Sequence, residues 1–289
     1  MVQWRGRRQS SNVGYSSGGR RSAGIPIPLG RGGMGIGTIV IIGIIALVFG
    51  INPLQLFGLG GSGVQQAAPS QEAQADPCGM SETNAFVCTM LADTEDVWNA
   101  EFANQGASYT EPVLKFYNGT GMSGCGVAQA AVGPFYCPQD QDIYLDTSFF
   151  DQLAQMGGAG DAAEAYVVAH EVGHHVQTLT GISDQVRQMQ GRARDQAEAN
   201  AVQVRMELQA DCYAGVFFHD KKQYLQKGDV QEALAAANAI GDDRLQREAQ
   251  GRIVPDSFTH GTSAQRQQWL DRGMCSGDPA DCDTFNSQI

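Results

Sequence analysis

A chain of 289 residues, 42% of them hydrophobic, has room for one or two domains with a substantial core, and its formal charge of −12 is unevenly spread. No acidic residue precedes Glu72 while six arginines do, so the first part carries +6 and the rest −18. So acidic a body repels phosphates, which excludes nucleic acid as its partner, and the basic part is short and holds no recognisable nucleic-acid fold.

In chain order, residues 1–33 are rich in Arg, Gly and Ser and read as a disordered basic tail. Residues 34–57 follow with no charge, and the stretch from Met34 to Ile51 is strongly apolar. A bilayer core needs about 20 such residues in a helix, so this run predicts one transmembrane helix. The arginines on its N-terminal side place the tail in the cytoplasm and make the run a signal anchor. The expected location is the bacterial inner membrane, crossed once, with the C-terminal domain in the periplasm. A cleaved signal peptide fits less well, because the basic region is long and no small-residue cleavage site closely follows the apolar run. Residues 58–76 read as a flexible linker, which leaves 77–289 as the folded domain.

That domain begins with helical spacing over 84–103. Extended segments follow at 112–117, 133–137 and 142–150, the last with Ile143, Leu145 and Phe149 on one alternating face. From Asp161 the pattern turns helical, up to Gly181. Further helices are expected at about 195–220 and 229–240, and a short one from Ser263. The fold class is therefore α+β, a small sheet followed by helices. All seven cysteines lie beyond residue 77, as suits an oxidising compartment. Neighbour spacing suggests the pairs Cys78–Cys88, Cys125–Cys137 and Cys275–Cys282, with Cys212 a buried free thiol.

Three of the five histidines fall in "AYVVAHEVGHHVQTLTG", at His170, His174 and His175. Positions i and i+4 share one helix face, so His170 and His174 can grip one Zn²⁺ through their ring nitrogens. Glu171, beside the first of them, can act as general base on a water at that ion. Two core histidines with a glutamate by chance would leave a buried carboxylate unpaired, at a cost. His175 lies about 100° around the helix from His174 and reads as a packing residue or a support behind a ligand rather than a ligand itself. Gly173 would let a neighbouring chain approach closely.

A catalytic zinc site takes a third protein ligand and one open position. In "RMELQADCYAGVFF", Glu207 and Asp211 stand four apart among apolar neighbours. Glu207 can complete a His-His-Glu set, and Asp211 can accept from the far nitrogen of a ligand histidine, fixing its tautomer. The rival third ligands are His219 and His260. His260, in "SFTHGTSAQRQQW", otherwise reads as a donor to the oxyanion of a tetrahedral intermediate, with Arg266 a less supported alternative.

A His-Glu-x-x-His helix followed by Glu-x-x-x-Asp resembles the gluzincin metallopeptidases. More closely, the chain resembles a bacterial membrane-anchored family of neutral zinc metallopeptidases, through "WRGRRQSSNV", "GPFYCPQDQDIYLD", "AYVVAHEVGHHVQ", "RMELQADCYAGV", "IGDDRLQ" and "SFTHGTSAQRQQW". "SSNVGYSS" departs from it in lacking an acidic residue after Asn-Val. The resemblance implies a zincin-like domain with His170, His174 and Glu207 as zinc ligands and Glu171 as base. The expected activity is hydrolysis of peptide bonds in protein or peptide substrates by a membrane-anchored endopeptidase. In zincin architecture an edge strand often holds the substrate, and "DIYLD" is the candidate. The alternative is an inactive, membrane-tethered assembly factor that keeps its zinc. The oligomeric state is not encoded in any motif.

Overall fold

The computed structural model describes residues 1–16 and 76–289. The apolar run at 34–57 and nearly all of the expected linker lie outside the described residues. Among the described residues no helix is long and apolar enough to cross a membrane.

Strand β1 (Val13–Tyr15) comes first, and helix α1 (Glu82–Asn104) opens the second described stretch. Ser81 caps α1 by accepting from the Asn84 amide. The helix buries Phe86, Val87, Met90, Leu91 and Trp98. Next come β2 (Val113–Phe116), the hairpin strands β3 (Thr120–Ser123) and β4 (Gly126–Gln129), then β5 (Phe135–Cys137) and β6 (Asp142–Leu145). One sheet takes the order β1-β2-β6-β5, with the first three strands parallel and β5 antiparallel at the far edge. Every residue of β6 is buried, as befits a central strand covered on both faces.

Seven more helices are described: α2 (Ser148–Gln155), α3 (Asp161–Leu179), α4 (Ile182–Arg192), α5 (Gln196–Asp220), α6 (Asp229–Ala239), α7 (Asp242–Gln250) and α8 (Ser263–Ser276). Helix α3 is apolar around most of its circumference and is enclosed by α1, α5 and α6. Two close approaches fix the packing around it. A Cβ on Gly173 would stand 3.1 Å from both the Cα and the carbonyl oxygen of Ala210, so α3 and α5 meet nearly backbone to backbone, as the sequence led one to expect. A Cβ on Gly215 would fall 2.2 Å from the Leu270 oxygen, and one on Gly273 2.0 Å from the Cys212 oxygen. Only glycine fits at either of these last two positions, and the α5–α8 contact is correspondingly tight.

Five expectations are corrected. Residues 1–16 are not a disordered tail but part of the fold. The composition argument weighed the tail alone, whereas its arginines find carboxylates on α1. Arg7 pairs with Asp93 and lies over the Tyr224 ring at 3.4 Å. Arg8 reaches Glu95 and Asp96, each at 2.7 Å, and the Ala92 carbonyl at 2.6 Å. Ser10 and Asn12 donate to Glu95, and β1 then pairs with β2, Val13 opposite Leu114. A cytoplasmic tail parted from an outer domain is at odds with this packing.

Second, Cys212 is not a free thiol. It pairs with Cys282, and Cys275 is left unpaired and exposed, while the other two predicted disulfides form. The one-turn helix Pro279–Cys282 folds back onto α5 and buries Cys282 against it. Third, the strand expected over 142–150 stops at Leu145, because the Asp146 carboxylate accepts from the Ser148 amide and starts α2. Fourth, β6 is an interior strand flanked by β2 and β5, so "DIYLD" cannot receive an added strand. Fifth, the helix from Ser263 runs for 14 residues rather than being short. Helices α2, α4 and α7, strand β1 and the β3–β4 hairpin were not anticipated.

Candidate metal centre

Helix α3 carries His170 and His174 one turn apart, with ring centroids 4.8 Å from each other. Helix α5, brought alongside by Gly173, presents Glu207 to both. Its Oε2 lies 3.3 Å from His170 Nε2 and 3.5 Å from His174 Nε2. One ligand atom from each of the three falls within 4.8 Å of the others, in a largely buried position. Two imidazoles and one carboxylate converging on one point suit Zn²⁺. Glu207 is steadied by Gln203, whose amide donates to Oε1 at 2.9 Å. Glu171 is 8% exposed, next to His170 in the helix.

Behind His170 stands Asp211, fully buried. His170 Nδ1–H donates to its Oδ1 at 2.8 Å, which makes Nε2 the nitrogen that faces Glu207. Tyr166 donates to the same oxygen at 2.5 Å, and Arg266 donates to both carboxylate oxygens at 2.9 Å. Arg266 also donates to the Tyr166 oxygen at 3.0 Å. Burial pushes the Asp211 carboxyl up, but Arg266 and His170 outweigh it and hold it below the usual range. Burial likewise opposes the charged form of His170, and Asp211 together with Glu207 overcomes it, raising that imidazole to about 9. Glu207 is held well below the ordinary carboxylate value, since His174 and His260 more than offset its desolvation. In each case burial is the largest single influence and the facing charges prevail by acting together.

His260 reaches the centre from the loop before α8. Its Nε2 lies 4.0 Å from Glu207 Oε2, outside the ligand triangle, and its side chain is 30% exposed. The loop is pinned by Asp242, whose Oδ2 accepts from the amides of Thr259, His260 and Gly261 at 2.7, 2.6 and 3.2 Å. Gly261 takes a φ of +88°, which suits glycine. Burial lowers the His260 imidazole, while Glu207 and Asp242 raise it further than that, for a net rise.

The remaining histidines are elsewhere engaged. His175 is fully buried, donates from Nε2 to the Thr110 oxygen at 2.6 Å and faces Tyr136 through Nδ1. It is a packing residue between α3 and β5. His219 contacts the Met274 carbonyl, three turns along α5 from Glu207. A second acidic group, Asp161, Asp229 and Glu232, faces the Met1 ammonium, 2.7 Å from Asp229.

Five side chains named from the sequence lie close together, His170, His174, Glu207 and Asp211 by helical spacing and His260 from its loop. Sequence spacing missed Tyr166, one helical turn before His170, although that i−4 spacing was visible. It also missed Asp242, whose role depends on a loop closing over it, and it set Arg266 toward the substrate rather than onto Asp211.

The family described as putative neutral zinc metallopeptidase matches residues 2–285. The chain belongs to that family. It is 48% identical over 296 residues to the uncharacterized protein YpfJ of Escherichia coli K12, covering the whole of both chains. It is also 39% identical over 263 residues to the uncharacterized protein Rv2575 of Mycobacterium tuberculosis H37Rv, covering 84% of this chain and 85% of that one. No solved structure matches.

Proposed function

We propose that the protein is a zinc-dependent endopeptidase acting outside the cytoplasm. The observation that carries this reading is the convergence of His170, His174 and Glu207 within 4.8 Å, with Glu171 in the same helix and His260 at the rim. A zinc ion held by those three residues would supply Lewis acidity and a more acidic water at neutral pH. Glu171 takes a proton from the attacking water and delivers it to the leaving amine nitrogen. His260 Nε2, with Nδ1 turned toward Asp242, donates to the oxygen that gains charge as the carbonyl is attacked. Asp211 keeps His170 in the tautomer that leaves Nε2 free. Strand β5 ends the sheet beside α3, and an extended peptide would add there as a further strand.

Three disulfides support an oxidising, extracytoplasmic location, and the uncharged run at 34–57 supports attachment to the bacterial inner membrane with residues 1–16 and 76–289 on the same face. The test compares the full-length wild-type chain with Glu171→Gln on an unfolded protein substrate. Cleavage should stop on chelation and return with zinc, and E171Q should lose a factor of about 10² or more. Equal cleavage by E171Q would sink the assignment.

A further inference from the structure

His170 has Asp211 to fix its tautomer, and His174 needs an equivalent. Its Nδ1 lies 2.8 Å from Oε1 of Gln177, three residues on in the same helix and fully buried. Which end of that amide faces the imidazole is decided by its other neighbours. The Gln177 nitrogen donates at 2.7 Å to the Met206 carbonyl, which can only accept. Its second hydrogen goes at 3.0 Å to Oε1 of Gln209. Gln209 is oriented in turn, since its own amide nitrogen donates at 3.0 Å to the Cys282 carbonyl, again an acceptor only. Flipping either amide would set two acceptors against each other. Oε1 of Gln177 therefore faces Nδ1 and accepts from it, and Nε2 is the ring nitrogen turned to Glu207, 3.5 Å from its Oε2.

The far end of this relay is anchored covalently. Cys282 is bonded to Cys212 on α5, three residues beyond Gln209. Thr284 adds a hydrogen bond to the Arg205 carbonyl at 2.6 Å, and Arg205 donates back to the Thr284 and Ser287 carbonyls. We propose that Gln177 is the positioning residue for His174, and that the relay Gln177–Gln209–Cys282 makes the disulfide-anchored C-terminal turn part of the metal centre. The proposal rests on the zinc reading only for its consequence, because the hydrogen bonds of the relay are present without metal.

Two measurements on the full-length protein test it. The first is nitrogen NMR of histidine-labelled, metal-free protein at a pH high enough for the imidazoles to be neutral, which reports which ring nitrogen of His174 carries the proton. The second is the zinc dissociation constant, read by chelator competition. Wild type should show the proton on Nδ1. Gln177→Met keeps the volume but removes the acceptor, so it should mix the two tautomers and weaken zinc binding about 10- to 100-fold. Gln209→Met leaves Gln177 in place with one anchor fewer, and a smaller loss of the same kind is expected; it also serves if the first variant does not fold. A wild-type proton on Nε2, or unchanged tautomer and affinity in both variants, would overturn the proposal. Failure of wild type to bind zinc, with Nδ1 protonated as expected, would instead count against the peptidase reading and leave the positioning role standing.

Discussion

His260 sits where its loss should be felt in turnover rather than binding. Its imidazole is outside the ligand triangle but 4.0 Å from Glu207. His260→Ala should therefore lower kcat by about 10²–10³ with KM little changed, measured by steady-state cleavage of a peptide. Equal changes in zinc affinity and kcat would instead mark it as a ligand. Glu164 makes a separate prediction, two turns before the metal-binding part of α3. Burial, with Asp161 and Asp151 nearby, raises its carboxyl from an ordinary 4.5 to about 7. A raised carboxylate favours the folded state below about pH 4.5, and that contribution is lost as the pH climbs through 7. Glu164→Gln should thus raise Tm at pH 8 and leave it nearly unchanged at pH 4.5. The side chain is only half-buried, so solvent screening limits the gain to about 1–2 kcal/mol. Equal melting of both proteins at pH 8 would count against this account.

Between elements, the α5–α8 crossing is the most demanding contact, and it brings Arg266 onto Asp211. Gly215→Ala would drive a methyl group to 2.2 Å from the Leu270 oxygen. The helices must then separate, at a cost of about 3 kcal/mol in urea unfolding, with weaker zinc binding as Arg266 withdraws. The sequence made the helices bearing the site legible because the chemistry is periodic: His170 and His174, and Glu207 and Asp211, are each four apart, on faces that must be buried. Strands were less legible. The three residues of β1 carry too little pattern to stand out from an Arg-rich stretch, and the helix-initiating turn at Asp146 hid within an apolar run. The Cys212–Cys282 link spans 70 residues, and local spacing favoured Cys275 instead. Long-range closures of this kind depend on how helices stack, which no window of sequence records.

For the molecule as a whole, bound metal should add stability by mass action, about 4 kcal/mol at a thousandfold excess over the dissociation constant. Chelation should lower Tm accordingly, and a thermal shift assay in which neither chelator nor zinc moves the transition would contradict a centre shared by α3 and α5. The arm at 1–16 carries a different consequence. Ser16 donates its amide to the Phe116 carbonyl, and Cys78 is fastened to α1 by its disulfide, so the chain leaves one folded body and re-enters it. An odd number of bilayer crossings in between would strand these two anchor points on opposite faces of the lipid. Sidedness can be read directly with a membrane-impermeant maleimide on intact spheroplasts. The exposed Cys275 reports for the body, and Ser11→Cys in a Cys275→Ser background reports for the arm. Both should react, or neither, because a β-ladder cannot be built through a membrane.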